Sequence, residues 1–168
     1  IDDDRHVVLY APTHRSYRHD EAEQQVIEAI RTAVPESYLL VRRHHLVGAG
    51  SHRFGPSVVD ASGVEPVADV LLAADLLVTD YSSVMFDFAY LERPIVLVVD
   101  DLERYQAERG LYFDPTGDEG PGTTARTVDE LGAILRDRAF EQPDAIVGLG
   151  RFRARFCPTT EPSAALVA

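Results

Sequence analysis

The sequence predicts an α/β domain built on a parallel sheet with helices on both faces. Short apolar runs of buried-strand length recur at residues 7–10, 38–41, 76–78 and 95–99, each bounded by proline or polar turn residues. The stretches between them carry helical patterns or room for a helix, and strands separated in this way require crossover connections and parallel pairing. Ligands of such sheets lie outside the carboxyl ends of the strands. The cations, imidazoles and hydroxyls of this sequence concentrate at that edge.

The first strand, residues 7–10, is halted by Pro12, and the loop over residues 13–20 carries His14, Arg15, Arg18 and His19. Asp20 can cap the next helix, where Ala22, Val26, Ile27, Ala29, Ile30 and Ala33 recur at helical spacing until Pro35 ends the pattern. Residues 38–41 form the second strand, with Arg42, Arg43, His44 and His45 at its end. Residues 48–56 are rich in Gly and Ser and read as a loop, Val58 and Val59 as a weak strand, and residues 66–73 as a short helix. Pro94 opens the strand at 95–99, at a position where a missing N–H costs least. Beyond it, residues 100–110 read as a short helix, 111–114 as an extended piece, 114–124 as a Gly/Pro loop and 128–135 as an amphipathic helix. Phe152 and Phe156 mark a last helix that packs back across the domain.

The stretch from 74 to 94, ADLLVTDYSSVMFDFAYLERP, organises the rest. Leu76, Leu77 and Val78 make a buried strand, Thr79, Asp80 and Tyr81 break it, and Ser82 and Ser83 open an apolar helix. Its backbone N–H groups, the positive end of its dipole and two hydroxyls would meet at the sheet edge as an anion site. An N-cap at Ser82 and a turn former at Asp80 account for the same residues without a ligand. Asp87 is a lone acid on this apolar helix and wants a polar partner, for which a ribose diol, a backbone N–H or an arginine would each serve.

Composition narrows the classes. With 45% hydrophobic and 26% charged residues among 168, the chain suits one globular domain over residues 1–168. A net charge of −12 argues against nucleic acid or an anionic membrane as a direct partner. The lone Cys157 cannot form an internal disulfide, and no stretch nears the length of a membrane span, so a cytoplasmic location is expected. The opening IDDDRHVVLY has neither an initiator Met nor a signal peptide, and a piece of a longer protein is expected.

The six histidines show no HxxxH or HxH spacing, so neither a metal site nor a cofactor is expected. GxxxxGK[ST], GxGxxG and GxSxG are absent, which sets aside the common NTPase and dinucleotide fingerprints and the hydrolase role for the serines. His44 and His45 beside Arg42 and Arg43 suit proton transfer or a diphosphate, because neighbouring cations keep an imidazole neutral; a solvated basic strand end is the plainer reading.

Nearly the whole chain resembles the carboxyl-terminal half of the CDP-glycerol glycerophosphotransferases of teichoic acid synthesis. The resemblance is carried by VLYAPTHR (8–15), LLVRRHH (39–45), ADLLVTDYSSVMFDFAYLERPIV (74–96), DLERY (101–105) and RGLYFD (109–114), with GPG (120–122) and RFRARFC (151–157) like the family's closing segments. It implies the second, nucleotide-binding Rossmann-like domain of a GT-B fold, with the acceptor domain and another catalytic histidine outside this chain. His45 stands where the family often has Pro. The acidic residue that contacts ribose in GT-B enzymes, seven positions before the proline, is Asp87 here.

The activity implied is transfer of glycerol phosphate from CDP-glycerol to a growing poly(glycerol phosphate) or lipid-linked acceptor, releasing CMP. The assigned residues are His44 as the catalytic group, and Thr13, Arg15, Arg42, Thr79, Asp80, Ser82, Ser83, Asp87 and Arg109 as substrate contacts. The full-length protein would be peripheral on the inner face of the cell membrane, and this chain alone would not turn over. Two other classes fit more loosely. A GT-B domain using a sugar nucleotide is separated only by the TDYSS and RGLYFD matches. A receiver-like module with Asp80 as phosphoacceptor lacks paired acids after the first strand.

Overall fold

The computed structural model describes residues 5–18, 20–43 and 57–157. Its centre is a six-stranded, wholly parallel sheet made of β1 (Val7–Ala11), β2 (Tyr38–Val41), β3 (Val58–Asp60), β4 (Leu76–Thr79), β5 (Ile95–Val98) and β6 (Thr123–Ala125). The strand order is β3-β2-β1-β4-β5-β6. This order runs outward in both directions from the β1/β4 pair, so crossovers leaving these two strands pass to opposite sides and open a crevice between them.

The helices are α1 (Asp20–Ala33), α2 (Val67–Ala73), α3 (Val84–Ala89), α4 (Leu102–Arg109), α5 (Val128–Arg136) and α6 (Pro143–Phe156), with one 3-10 turn at Ala139–Glu141. Successive strand residues point to opposite faces. Val7 and Leu9 of β1, Leu77 of β4, and Ile95 and Leu97 of β5 meet Val70 and Leu71 of α2, Met85 and Phe88 of α3, and Phe152 of α6. Val8 and Tyr10, Leu76 and Val78, and Val96 and Val98 meet Val26, Ile27 and Ile30 of α1 and Leu131 and Leu135 of α5 on the other face. Covering both faces is what makes the strands continuously apolar.

The strands expected at 7–10, 38–41, 76–78 and 95–99 are present within a residue at either end. Thr79 belongs to β4, where it pairs with Ala11, and does not begin the turn. Residues 111–114 form bends and no strand. The sixth strand, β6, begins within the last two residues of the stretch expected to be loop; it is three residues long with only Ala125 fully buried, too little apolar signal for a periodicity to register. The GPG segment has a packing reason: Gly122 has φ 117°, and a Cβ there would lie 2.7 Å from the Ala145 carbonyl oxygen. Gly148 meets it from α6, where a Cβ would lie 2.8 Å from the Gly122 Cα. The last helix reaches the sheet through this contact, and Phe152 stacks on Phe86 of α3 at 5.4 Å.

Candidate functional site at the β1/β4 crevice

Just beyond the paired ends of β1 and β4, Asp80 is buried with 1% of its surface exposed. Its carboxylate accepts hydrogen bonds from the Thr13 backbone N–H at 2.9 Å, the Thr13 hydroxyl at 2.6 Å, Arg15 Nη1 at 2.8 Å and the Tyr81 N–H at 2.6 Å. Burial pushes the Asp80 carboxyl above the usual carboxylate range, against the pull of the Arg15 guanidinium and the Thr13 and Tyr81 donors. One residue earlier, the Thr79 hydroxyl donates to the Ala11 carbonyl at 2.6 Å. These bonds fasten the loop after β1 to the loop after β4.

Arg15 continues the network. Its side chain is 1% exposed, and Nε lies 3.1 Å from Asp101 Oδ2 as a charge contact whose N–H is not aligned for a hydrogen bond. Asp101 also accepts from the Tyr17 hydroxyl and the Tyr81 hydroxyl, each at 3.0 Å. The Tyr81 ring stacks on Tyr105 at 3.9 Å, and Arg18 forms a two-pronged pair with Asp100 at 2.6 and 3.0 Å. Burial, then Asp101, pushes the Tyr17 hydroxyl up to about 12 and that of Tyr81 further.

On the solvent side of this network lies a cleft of about 290 Å³. Ala11, Pro12, Thr13 and His14 line one wall, Tyr81, Ser82, Ser83 and Val84 another, and Arg42, Arg43 and Val67 close it. Ser83 occupies the N-cap position of α3, yet its hydroxyl makes no cap bond and the residue is exposed. The Ser82 hydroxyl receives the Val84 N–H at 3.4 Å, beyond the usual range for a strong bond. The hydroxyls are therefore open toward the cleft and ready to donate to an anion, while α3 itself is only six residues long.

The structure thus gathers Thr13, Arg42, Ser82 and Ser83 around one cleft and turns Arg15, Thr79 and Asp80 inward beneath it. Arg42 is already engaged: Nη1 donates to the Ala61 and Val64 carbonyls at 2.9 and 2.7 Å, and Nη2 to Glu65 at 2.9 Å. Arg43 pairs with Glu23 at 2.5 Å. Asp87 is exposed one turn along α3, and its carboxylate makes no hydrogen bond or ion pair among the described residues. Arg109 ends α4, exposed, and does not line the cleft. His44 and His45 lie outside the described residues. Sequence reasoning noted His14, and quoted Tyr81, Asp101 and Tyr105 within larger segments, without giving any of them a role in the site, and it passed over Tyr17. His14 stands just past a strand end and could have been found; no spacing announces the carboxylate of Asp101.

Among the described residues no helix is long and apolar enough to cross a membrane. Residues 1–165 match the family model described as CDP-glycerol:poly(glycerophosphate) glycerophosphotransferase. The chain is 33% identical over 166 residues to a teichoic acid poly(glycerol phosphate) polymerase of Bacillus subtilis, covering 92% of this chain and 22% of that protein. It is 42% identical over 122 residues to a teichoic acid glycerol-phosphate transferase of Staphylococcus aureus, covering 66% of this chain and 31% of that one. The solved wall teichoic acid polymerase TagF superposes with a TM-score of 0.81 at 26% identity, over 98% of this chain and 42% of that chain. A variant of that polymerase soaked with CDPG superposes with a TM-score of 0.79 at 28% identity, over 98% and 40% of the two chains. The chain spans less than half the length of each of these relatives.

Proposed function

Because this chain belongs to the CDP-glycerol:poly(glycerophosphate) glycerophosphotransferase family, we propose that its crevice between β1 and β4 binds CDP-glycerol and forms the donor half of an enzyme that transfers glycerol phosphate to a growing teichoic acid chain. The observation that carries this reading is the cleft beside Ser82 and Ser83, where the Ser83 hydroxyl occupies an N-cap position without capping. Two hydroxyls and the His14 imidazole converge there at the switch point of a doubly wound sheet.

In the reaction the acceptor hydroxyl oxygen attacks the phosphorus that bears glycerol. The bond from that phosphorus to the bridging oxygen breaks, and CMP leaves. Negative charge grows on the bridging and terminal diphosphate oxygens, so donors aimed at those oxygens lower the barrier. Ser82 and Ser83 donate to the diphosphate, Asp87 receives the ribose hydroxyls, and Arg109 approaches as a further cation. Thr13, Thr79, Asp80 and Arg15 hold the walls from beneath, and Arg42 frames the cleft's third side. His44 donates to the diphosphate or protonates the departing CMP. The acceptor and the base that activates it come from outside these 168 residues, so this chain alone does not turn over. The whole enzyme works at the cytoplasmic face of the membrane, on a polymer or lipid-linked acceptor.

Calorimetric titration with CDP-glycerol, CDP-ribitol, CMP, UDP-glucose and GDP-mannose tests the reading. CDP-glycerol or its ribitol counterpart should bind more tightly than CMP, and the uridine and guanosine nucleotides more weakly. Tighter binding of UDP-glucose would favour a sugar-nucleotide transferase, and no binding of any cytidine nucleotide would overturn the proposal.

A further inference from the structure

The aspartate at the start of α4 is in a position that ordinarily caps a helix, yet it caps nothing. Asp101 occupies the N-cap of α4, where an aspartate normally accepts a hydrogen bond from the first turn, but no such bond forms. Its two oxygens instead receive the hydroxyls of Tyr17 and Tyr81, and Oδ2 also faces Arg15 Nε. Tyr17 and Arg15 belong to the loop after β1, Tyr81 to the loop after β4, and Asp101 itself to the loop after β5. One carboxylate therefore joins three crossover loops at the carboxyl edge of the sheet.

Of the residues it holds, Tyr81 lines the cleft itself, and Arg15 is next in the chain to His14, which also lines it. His14 stands between Thr13 and Arg15, both bonded to Asp80, and Ser82 is next in the chain to Tyr81, whose hydroxyl is bonded to Asp101. Asp101 itself does not line the cleft. We infer that Asp101 is a positioning residue for the donor site: through Tyr17, through Tyr81 and through the Arg15–Asp80 pair it sets where the Ser82 and Ser83 hydroxyls and the His14 ring stand relative to one another. This rests on the reading that the cleft receives the diphosphate of a nucleotide. A carboxylate diverted from its own helix gives up a local cap, and in exchange the two walls of the cleft share one anchor.

The test uses Asp101→Asn, Asp101→Ser and Tyr17→Phe in the 168-residue chain. Serine caps a helix as well as aspartate does, so Asp101→Ser preserves α4 while removing the cross-loop carboxylate. Tyr17→Phe removes one hydroxyl and leaves a ring under Arg104, whose guanidinium carbon sits 4.0 Å from the ring centre. In ligand-free ¹H–¹⁵N spectra the amides of His14 and residues 82–84 should shift or broaden in all three variants, although none of the substituted residues lines the cleft. The Kd for CDP-glycerol should rise at least about fivefold in each, the scale of one hydrogen bond. Adding Tyr17→Phe to Asp101→Ser should raise it little further, since the serine has already removed the carboxylate that the Tyr17 hydroxyl donates to.

A merely structural role predicts otherwise: lower thermal midpoints, with cleft amides and Kd unchanged well below the midpoint, and that result overturns the inference. A parent chain that binds no CDP-glycerol overturns the proposed function, and the amide spectra then decide for or against Asp101 alone. Where Asp101→Asn does not fold, Tyr17→Phe decides by the same two readouts.

Discussion

Replacing Asp80 with alanine should cost about 3 to 5 kcal/mol of folding stability, the scale seen when one partner is removed from a buried ion pair. Arg15 and Asp80 are both 1% exposed at the side chain and 2.8 Å apart, so the guanidinium cannot reach water when its partner is gone. Asp101 remains at 3.1 Å, but it already receives two tyrosine hydroxyls and is not aligned with the Arg15 Nε–H. The Thr13 N–H and hydroxyl and the Tyr81 N–H lose their acceptor as well. Asp80→Asn keeps an acceptor of the same shape while removing the charge and should fall between the parent and alanine. Urea unfolding followed by circular dichroism measures the effect: with a slope of about 2 kcal/mol/M, the alanine midpoint should drop by roughly 1.5 to 2.5 M. The double variant Arg15→Met/Asp80→Ala should be less damaging than the sum of its singles by at least about 1 kcal/mol, because the methionine leaves no charge to strand. An Asp80→Ala chain within about 1 kcal/mol of the parent, or an additive double variant, would refute the account of this pair as the fastening between the β1 and β4 loops.

Ser83→Ala should change stability by less than about 0.5 kcal/mol, since its hydroxyl makes no cap bond, while CDP-glycerol affinity in calorimetry should fall several-fold; unchanged affinity would remove Ser83 from the site. Phe152→Ala should cost about 3 to 5 kcal/mol in chemical denaturation, because the ring is 0% exposed and packs against Phe86, Phe113 and Phe156. Stability should also decline from about pH 10 upward. Burial holds the Tyr17 and Tyr81 hydroxyls protonated in the folded chain beyond the ordinary tyrosine range, to about 12 for Tyr17. Their contribution is complete below the unfolded value near 10 and is lost as pH rises through the folded values. Thermal midpoints measured between pH 9 and 11.5 check this, and Tyr17→Phe should flatten the decline.

The layer architecture was legible in the sequence, because runs such as VVLY and LLV are too apolar to face water on either side and too short for helices. Ser82 and Ser83 could also be placed at the carboxyl edge, where the candidate cleft lies, because they come just after a strand and the residues just after a parallel strand must emerge at its carboxyl end. Only the tertiary arrangement separates the polar residues of that edge that face the cleft from those that face one another. Arg15 and Arg42 look alike in sequence, both being cations just beyond a strand, but the first is buried against Asp80 and Asp101, and the second is bonded to the Ala61 and Val64 carbonyls. A charge at a crowded sheet edge takes the nearest partner that also relieves its desolvation, and that partner lies 65 residues away in the chain for Arg15 and Asp80. Spacing along a chain carries information over a few helical turns or a strand. The Asp101 carboxylate turning from its own helix toward Tyr17, 84 residues distant, is fixed only when three loops close over one another, and no local pattern encodes that closure.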